Sequence, residues 1–434
     1  MLDIKLIREN PEIVRKDLKK RGDEVKLNLL DELIQADKAH RKLIQESEEL
    51  RAKRNKVSQE IAELIKFQRD AGAKKKEAAQ IPERLKKIEE EKFIFERKVH
   101  EIMLRLPNLL HESVPVGKTE ADNVEIRKIG KPPKFTFTPK NHMEILEGLG
   151  LIDAERAAKV AGHGFYYLKG DLVLLDYAIM RFAMDFLKKR GYTIVEPPYM
   201  LFRKPYEGVV DISDFENVMY KVEGDSLYMI ATSEHPMAAM HMDETLLKEQ
   251  FPIKLGGVSP CFRKEVGAHG KYTKGLFRMH CFNKVEQFIF CLPEQSWKLH
   301  EELQKNAEDL FKELGLHVRT VNVCTGDIGS IAAKKYDIEF WMADGTFREI
   351  GSNSNCTDYQ ARRLNVKYRE KEGAAPAGFV HTLNNTALAT SRVMVAIIEQ
   401  YQQKDGTVKI PTALLPYMGG IKFLGKPSKA KAKV

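Results

Sequence analysis

At 434 residues, with 43% apolar and 31% charged side chains, the chain has room for two or three domains and at least one large core. Lys and Arg number 71 and Asp and Glu 62, so the net charge of +9 is mildly basic, and its distribution matters more than its total. The most apolar stretch, 171–187, is interrupted by charged residues, and residues 1–14 lack the apolar segment of a secretory signal. We therefore expect neither a membrane span nor export.

The five cysteines favour a reduced, cytoplasmic protein. Their number is odd and no pair has CxxC spacing, so neither a disulfide framework nor a zinc site is indicated. Cys356 lies in a polar segment and could line a site, although a small buried residue is the commoner role. The other four are Cys261, Cys281, Cys291 and Cys324.

A heptad pattern near the N-terminus predicts two long helices that pair. On the outgoing arm, apolar residues recur every seven positions at Leu29, Ala36, Leu43, Leu50, Val57 and Leu64. On the return arm, spacings of four and three alternate through Ile81, Leu85, Ile88, Lys92, Phe95, Val99 and Ile102. This is the pattern of an antiparallel coiled-coil hairpin, with a turn expected in 66–80 near Gly72. An arm spanning 29–65 would extend roughly 55 Å, so we expect it to project from the rest of the chain.

The distal part of this hairpin is basic. Residues 51–87 contain twelve Lys and Arg against five Asp and Glu, a net charge of +7. A solvated helical face is the commoner reason for such a charge run. Contact with a phosphate backbone is the alternative. The candidates for that contact are Arg51, Lys53, Arg54, Lys74, Lys75 and Lys76.

The second half of the chain has no heptad pattern and mixes predicted helices with predicted strands. We divide the sequence into a helical hairpin over 1–110, a Pro- and Gly-containing linker over 111–133, an α+β domain over 134–424 and a basic, disordered tail over 425–434. Predicted helices and strands do not alternate in a strict βαβ order, which favours an antiparallel sheet flanked by helices. The helices are Asp171–Lys189, Pro293–Leu314 and Ser391–Gln402, and the strands are Lys284–Cys291, His317–Val323 and Lys335–Trp341.

Three polar segments of this domain could carry chemistry. In the first, Cys261–Glu265 and Gly275–Glu286 predict a β-hairpin with Arg263 at the end of a strand, where its fork suits phosphate oxygens. In the second, Phe347–Arg363, a run of Gly, Ser and Asn predicts a poor strand or helix interior. The segment collects hard oxygen ligands of the kind that bind Mg²⁺ together with nucleotide phosphates. In the third, His381–Arg392 places polar groups at a helix start, where an anion can bind. A charged surface hairpin, a loop that caps a helix near 358 and an ordinary helix start are the respective alternatives.

No GxGxxG or GxxxxGK[ST] motif is present, so a bound nucleotide would have to be held by side chains.

These segments resemble, in order, the signature motifs of class II aminoacyl-tRNA synthetases. Gly191–Pro198 is similar to the first motif, Phe262–Glu265 to the second, and a stretch ending at Arg392 to the third. Ala231–Pro236 is similar to the Thr-x-Glu segment of seryl-tRNA synthetases in particular. Further segments that resemble the same family are 1–14, 278–286, 354–363 and 399–406. The resemblance covers almost the whole chain and implies a class II catalytic domain behind a tRNA-binding hairpin.

The resemblance also implies a role for each matching residue. The serine pocket would consist of Thr232, Ser233, Glu234, Arg263, Glu286, Asn384 and Thr386, with Glu286 at the α-amino group. ATP would contact Arg263, Lys264, Glu265, Arg278, Met279, Phe282, Glu349, Ile350, Gly351, Ser352 and Arg392. Mg²⁺ would be held by Glu349 and Ser352, and the catalytic residues would be Arg263, Glu265 and Arg392. They would act through positioning and electrostatics.

The implied partners are tRNA(Ser) with its long variable arm, tRNA(Sec) where that tRNA exists, and a second copy of the chain. In this family the first motif forms a dimer interface, and the hairpin reads the variable arm. Asn385, Ala387 and Ser391 stand where many members have glycine, and Ser233 stands where alanine is common. These departures spare the charged residues and suggest a separate branch, such as an archaeal one.

Three other hypotheses remain open at this stage. A paralogue that lost catalysis would not need the charged set, which is intact. A ligase that charges a carrier protein would not need the long basic arm. A coiled-coil scaffold would leave the polar segment 349–363 without a role.

Overall fold

The computed structural model describes residues 1–211, 218–265 and 275–425. It divides into two compact units, Leu2–Leu106 and a second unit formed by Met1 and the chain from Pro107 onwards. Among the described residues, no helix is both long and apolar enough to cross a membrane. The predicted tail, 425–434, lies outside the described residues except for its first position.

The first unit is entirely helical in its regular structure. Its helices are α1 Ile4–Glu9, α2 Pro11–Arg21, α3 Glu24–Lys66 and α4 Gly72–Arg105. Asp23 caps α3 by accepting a hydrogen bond from the backbone N–H of Lys26 at 3.0 Å, which satisfies a free donor of the first turn.

Helices α3 and α4 form the predicted antiparallel hairpin. Cross-helix ion pairs link Lys98 to Glu32, Arg51 to Glu89 and Lys74 to Glu60, so sequence positions rise on one helix as they fall on the other. Seam positions are buried on both helices, which confirms the heptad prediction. They include Leu29, Leu33, Ala36, Leu43, Val57, Ile81, Ile88 and Ile102.

The turn between the two helices is shorter than the sequence pattern indicated. We expected it somewhere in 66–80, but α4 begins at Gly72, so only residues 67–71 join the helices. Residues 73–80 are Ala, Lys, Glu and Gln, which are strong helix formers, and they extend α4 beyond the seam. Asp70 accepts a hydrogen bond from the backbone N–H of Gly72 at 2.8 Å and closes the turn.

The second unit is an α+β domain built on a large sheet, as predicted. Its helices are α5 His142–Gly148, α6 Ala154–Ala161, α7 Asp171–Lys189, α8 Arg203–Val209, α9 Glu234–Ala239, α10 Ser296–Glu313, α11 Tyr359–Leu364 and α12 Thr390–Gln400. Its first nine strands are β1 Val124–Ile129, β2 Ile152–Asp153, β3 Tyr167–Leu168, β4 Thr193–Val195, β5 Met200–Phe202, β6 Leu227–Met229, β7 Thr245–Leu247, β8 Ile253–Phe262 and β9 Cys281–Cys291. The remainder are β10 Val318–Asn322, β11 Lys334–Trp341, β12 Phe347–Asn355, β13 Lys367–Arg369, β14 Gly378–Phe379, β15 His381–Ala389, β16 Val408–Lys409 and β17 Phe423–Leu424.

Eight of these strands form one sheet in the order β1-β10-β11-β12-β15-β9-β8-β4. Every neighbouring pair is antiparallel except β4 and β8, which are parallel. The strand β4 comes from the segment that resembles the first synthetase motif, and it follows directly on the long helix α7.

The two faces of the sheet have different coverings. On one face, α7, α10 and α12 bury a large apolar core that includes Leu303 and Ile397 together with the strand residues Ile289 and Ile338. On the other face, α8, α9 and α11 cover only part of the sheet, through a smaller core around Phe288. Side chains alternate between faces along each strand, so the uncovered part of the second face presents every other residue of β9, β12 and β15. We call it the open face.

Two local predictions need correction. Phe347–Asn355 was expected to be a poor strand, yet it forms β12 in the middle of the sheet. The amide nitrogen of Asn353 on this strand has partners on α10: it donates hydrogen bonds to His300 O at 3.0 Å and Gln304 Oε1 at 3.2 Å. A polar residue can therefore occupy a central strand here because helix α10 accepts its hydrogen bonds. The predicted linker 111–133 also includes β1, an edge strand of the same sheet.

Candidate active site

The predicted site residues of the second unit gather on the open face of the sheet and its edges. Strand register places Thr386 opposite Glu286 and Ser352 opposite Asp337, so these side chains share that face. Arg263 follows the end of β8, Glu234 begins α9, and Arg392 lies in the first turn of α12. Residues from distant parts of the sequence therefore meet because antiparallel strands bring their ends together.

Glu234 is a half-buried carboxylate held by amide donors. Its Oε1 accepts hydrogen bonds from Asn384 Nδ2 and from Gln360 Nε2, each at 3.1 Å. Thr232 is buried, and its Oγ1 accepts from the Glu234 backbone N–H at 3.1 Å. Burial, and next the negative charge of Glu286, raise the pKa of Glu234 to about 7.

Glu286 is a second carboxylate, and it has a cationic partner. It is 1% exposed, and its Oε2 lies 2.5 Å from Lys284 Nζ and accepts a hydrogen bond from Thr386 Oγ1 at 3.3 Å. Ser233 does not join this group through its side chain, because its hydroxyl is turned toward Gly257 O at 3.5 Å.

Arg263 is positioned at the rim of the same pocket. Its Nε donates to the carbonyl oxygen of Ala231 at 3.2 Å, and its guanidinium carbon lies 5.3 Å from the centre of the Phe282 ring. Its backbone N–H donates to His280 O at 2.9 Å. These contacts leave other guanidinium N–H groups to face a ligand, with an aromatic ring beside them on which a planar base could stack.

Two cavities adjoin at this place and share Glu234. One, of about 480 Å³, is lined in part by Thr232, Glu234, His235 and Arg263. The other, of about 300 Å³, is lined in part by Glu234, Ser352, Cys356 and Asn384. Cys356 is 1% exposed, which agrees with the expectation of a small buried residue, and it borders the second cavity as well.

Further along the open face, two arginines pair with acidic residues. Arg278 Nη1 lies 3.1 Å from Glu265 Oε2, and Arg392 Nη1 lies 3.3 Å from Glu349 Oε1. The guanidinium of Arg392 also lies 5.0 Å from the centre of the Phe277 ring. Each ion pair holds the guanidinium group of its arginine in place on a partly exposed surface.

Some residues that were predicted to contact the nucleotide do not direct their side chains into the site. Met279 is 8% exposed and Ile350 is 1% exposed, and both belong to the large core on the opposite face. Only their backbone atoms could contact a ligand. Gly351 packs against β15, so that a Cβ added there would lie 2.8 Å from Thr386 Cβ. Lys264 donates its backbone N–H to Val218 O at 3.1 Å.

The chemistry around Glu349 and Ser352 suits a hard cation bound together with phosphates. Burial would raise the pKa of Glu349, but Arg392, Lys335 and Arg263 outweigh it and hold the carboxyl below its usual pKa, so it is ionised at neutral pH. Asp337 lies across from Ser352, and its Oδ1 is buried with no hydrogen-bond partner among the described residues. The described residues contain no group of three or more His, Cys, Asp or Glu able to hold a metal by themselves.

Sequence reasoning missed four residues of the open face. Lys284 and Gln360 lie in segments that resembled the family, but nothing in the pattern gave them a role. His235 lines the larger cavity, and burial, followed by Lys284 and Arg263, lowers its pKa to about 3, so it is neutral. Asp337 was hidden inside an ordinary strand pattern. Only the register across the sheet brings it to the site.

The basic candidates on the hairpin differ in their surroundings. Arg51 pairs with Glu89 at 3.0 Å, Lys53 with Glu77 at 2.7 Å and Lys74 with Glu60 at 2.7 Å. The other three are exposed, and the ion pairs found in the described part of the chain do not include them. They are Arg54, Lys75 and Lys76.

Comparison with known proteins gives matches along the whole chain. A family model described as the seryl-tRNA synthetase N-terminal domain matches residues 1–110, and one described as the tRNA synthetase class II core domain (G, H, P, S and T) matches residues 218–401. A serine–tRNA ligase from Methanocella arvoryzae is 54% identical, covering 98% of this chain and 100% of its own length.

Two solved structures resemble the whole fold. A seryl-tRNA synthetase from Pyrococcus horikoshii complexed with ATP is 48% identical, with a TM-score of 0.94 and coverage of 98% of this chain and 99% of its own. A cytoplasmic serine–tRNA ligase from Naegleria fowleri in complex with AMP is 35% identical, with a TM-score of 0.88 and the same coverage.

The close approach at Gly351 predicts a sharp difference between two glycine substitutions. In Gly351→Ala the new methyl group must displace Thr386, so we expect a loss of about 1–3 kcal/mol in the free energy of unfolding. Gly148→Ala is the control, because an added Cβ there meets nothing within 4 Å. Urea unfolding of the full chain measures both, and equal stabilities would show that Thr386 yields freely.

Proposed function

The chain belongs to the seryl-tRNA synthetase family, and from this premise we propose that the open face carries out both steps of serine–tRNA ligation. In the first step L-serine and ATP give seryl-adenylate and pyrophosphate. In the second step the seryl group passes to the 3′ end of tRNA(Ser). The observation that carries the placement of both steps is the half-buried carboxylate Glu234 in one cavity with Arg263.

Serine would bind first, in the pocket of Glu234 and Glu286. Two carboxylates offer negative charge to the substrate's ammonium group, and the Thr386 and Thr232 hydroxyls with the Asn384 amide offer partners for its hydroxyl. Alanine would leave some of these buried groups unpaired, at a cost of about 1–3 kcal/mol for each. A pocket built on hydrogen bonds therefore selects against the smaller amino acid more strongly than an apolar pocket would.

ATP would lie along Phe282 and the arginines. Arg263 would contact both the α-phosphate and the serine carboxylate, and the adenine would stack on Phe282 with Glu265 near its amino group. Arg278 and Arg392 are already oriented by carboxylates, and they would hold the terminal phosphates. A serine carboxylate oxygen then attacks the α-phosphorus in line, the bond to the leaving oxygen breaks, and pyrophosphate departs with that electron pair.

Positioning and charge supply most of the catalysis in this account. The serine carboxylate is already ionised, so the first step needs no general base. In the second step the 3′-terminal hydroxyl of the tRNA attacks the seryl carbonyl carbon, and AMP leaves. We assign no side chain as a base in that step.

Mg²⁺ would be held by Glu349 and Ser352 together with the phosphates. The ionised carboxyl of Glu349 and the hydroxyl of Ser352 are hard oxygen donors of the type that this ion prefers. The ion would neutralise part of the phosphate charge. Because the protein offers few carboxylates here, the triphosphate and water would supply the remaining ligands.

The activity is tested most simply by serine-dependent exchange of radioactive pyrophosphate into ATP. We expect exchange with serine and background exchange with each of the other standard amino acids. Arg263→Ala removes the cation at the reacting phosphate and should lower serine-dependent exchange by at least about a hundredfold. Strong exchange with threonine or alanine and none with serine would contradict the proposal.

The hairpin would bind tRNA(Ser) through its phosphates. Charge on the distal arm can follow a backbone, and recognition of RNA helices relies largely on shape. Of the six basic candidates, Lys75 and Lys76 are exposed and adjacent, at the start of α4. We therefore expect them to contribute more to affinity than Lys74, whose charge is already paired with Glu60.

This assignment predicts an effect on tRNA alone. Replacement of Lys75 and Lys76 by Ala should weaken tRNA(Ser) binding and reduce the slope of log affinity against log salt by about two, with pyrophosphate exchange unchanged. The matched control replaces Lys19 and Lys20, an exposed adjacent pair on α2, outside the basic segment. An equal loss in both double variants would show that binding does not depend on the distal arm.

Three further properties follow from family membership and belong to the same proposal. The chain would act as a homodimer through the segment around β4, would also charge tRNA(Sec) where that tRNA exists, and would work in the cytoplasm. Sedimentation equilibrium measures the first property, and a fully active monomer would contradict it. Charging assays with a tRNA(Sec) transcript test the second.

A further inference from the structure

A lysine that the reaction scheme does not use pairs with one of the two carboxylates of the proposed serine pocket. Lys284 is 5% exposed on β9, and its Nζ is 2.5 Å from Glu286 Oε2. A buried lysine loses its hydration, so it remains charged only if a neighbouring anion compensates. Here the anion is itself a proposed substrate ligand.

The charges around Lys284 can be counted. The two carboxylates are Glu234, on α9, and Glu286, on β9. Lys284 offsets one of them, and Arg263 lies at the rim, where its guanidinium is occupied with Ala231 and, in our proposal, with the anionic groups of the substrates. Three titratable groups near the pocket are neutral, since burial lowers the pKa of His235 and raises those of the thiols Cys261 and Cys356. Asp211 and Glu265 line the same cavity as Glu234, so acidic side chains predominate around the pocket.

Without Lys284 the negative charge of Glu286 would act on Glu234 with less compensation. A like charge nearby disfavours the ionisation of a carboxyl, so the pKa of Glu234 would rise further. Already the pKa of Glu234 is raised, first by burial and second by Glu286, and Lys284 is the largest influence that lowers it. A proton on Glu234 would have to leave before a serine ammonium group could use that carboxylate.

We propose that Lys284 is a positioning residue of the serine pocket: its ammonium group fixes Glu286 in place and offsets the negative charge that Glu286 exerts on Glu234, so that both carboxylates are ready for the substrate's ammonium group. Lys284 touches neither substrate in this account. It acts through Glu286, whose second contact, the Thr386 hydroxyl, fixes the same oxygen. The inference rests on the proposed function.

The test is the serine KM in pyrophosphate exchange, measured from pH 6 to pH 8.5. A carboxyl with a raised pKa must lose its proton before it binds an ammonium group, so serine KM should rise as pH falls below about 7 in the unchanged protein. Lys284→Met removes a positive charge and raises that pKa further. We expect the rise in KM to begin at higher pH, with an increase of about tenfold at pH 7 and a return toward the unchanged value at pH 8.5.

Matched variants separate charge from structure. Lys284→Gln keeps a hydrogen-bond donor without the charge and should behave like Lys284→Met, whereas Lys284→Arg keeps the charge and should retain the unchanged pH profile. Lys254→Met is the control on the neighbouring strand β8, because it removes an ion pair, with Glu302 at 2.6 Å, that faces away from the pocket. Its serine KM should not change, and the KM for ATP should stay within about twofold in all variants.

If Lys284→Met and Lys284→Gln do not fold, Glu286→Gln carries the test in the opposite direction. It leaves Lys284 unpaired near Glu234, which lowers the pKa of Glu234, so the acid rise in KM should move to lower pH even though serine binds more weakly. Superimposable pH profiles of the variants and the unchanged protein would overturn the inference while leaving the serine-dependent exchange of that protein, and so the proposed function, intact.

Discussion

The placement of two carboxylates beside each other is the constraint on which the rest of the site depends. Glu286 is fully buried and Glu234 is half-buried, and an uncompensated buried charge costs several kcal/mol. The protein offsets that cost with the amides of Asn384 and Gln360 on one carboxylate and with Lys284 and Thr386 on the other. The pocket remains negative, and an ammonium group that enters it stabilises that charge. The same carboxylates that are costly to bury therefore select the substrate.

The antiparallel sheet makes this arrangement possible. Its central strands β12, β15 and β9 pair with a neighbour on both sides, which fixes the positions of side chains on the open face. The opposite face is sealed by α7, α10 and α12, and those helices also satisfy polar residues such as Asn353. Preorganised donors and charges of this kind act on a reacting phosphate without further rearrangement, which is how a site with no assigned covalent catalyst could accelerate the reaction.

Much of the fold was predictable from local patterns. The coiled-coil seam follows from apolar spacing, and the helix Asp171–Lys189 and the strands of the β8–β9 hairpin follow from composition and alternation. The polar strand β12 was not predictable, because its stability depends on side chains of α10 more than forty residues away in sequence. The start of α4 was missed for a different reason. A seam pattern indicates where helices pack, and it gives no information on helix propensity beyond the packed region.

The residues of the site also divide into those that the sequence predicts and those that it does not. Family motifs predicted the residues of the site, and the structure brings most of them to the open face. The motifs gave no role to residues that act on other residues, such as Lys284 on Glu286 or Gln360 on Glu234. Those roles depend on distances between atoms, which the order of residues along a chain does not reveal. Met279 and Ile350 illustrate the converse, because they lie within the motifs while their side chains belong to the core.

We propose above all that Glu234, Glu286 and Arg263 together form the site of serine activation. A crystal structure of the chain with a non-hydrolysable sulfamoyl analogue of seryl-adenylate tests it most directly. The account predicts the seryl ammonium group within hydrogen-bond distance, about 3 Å, of a carboxylate oxygen of Glu234 or Glu286, the sulfamoyl group at Arg263 and the adenine on Phe282. An analogue bound with its ammonium group away from both carboxylates would contradict the account.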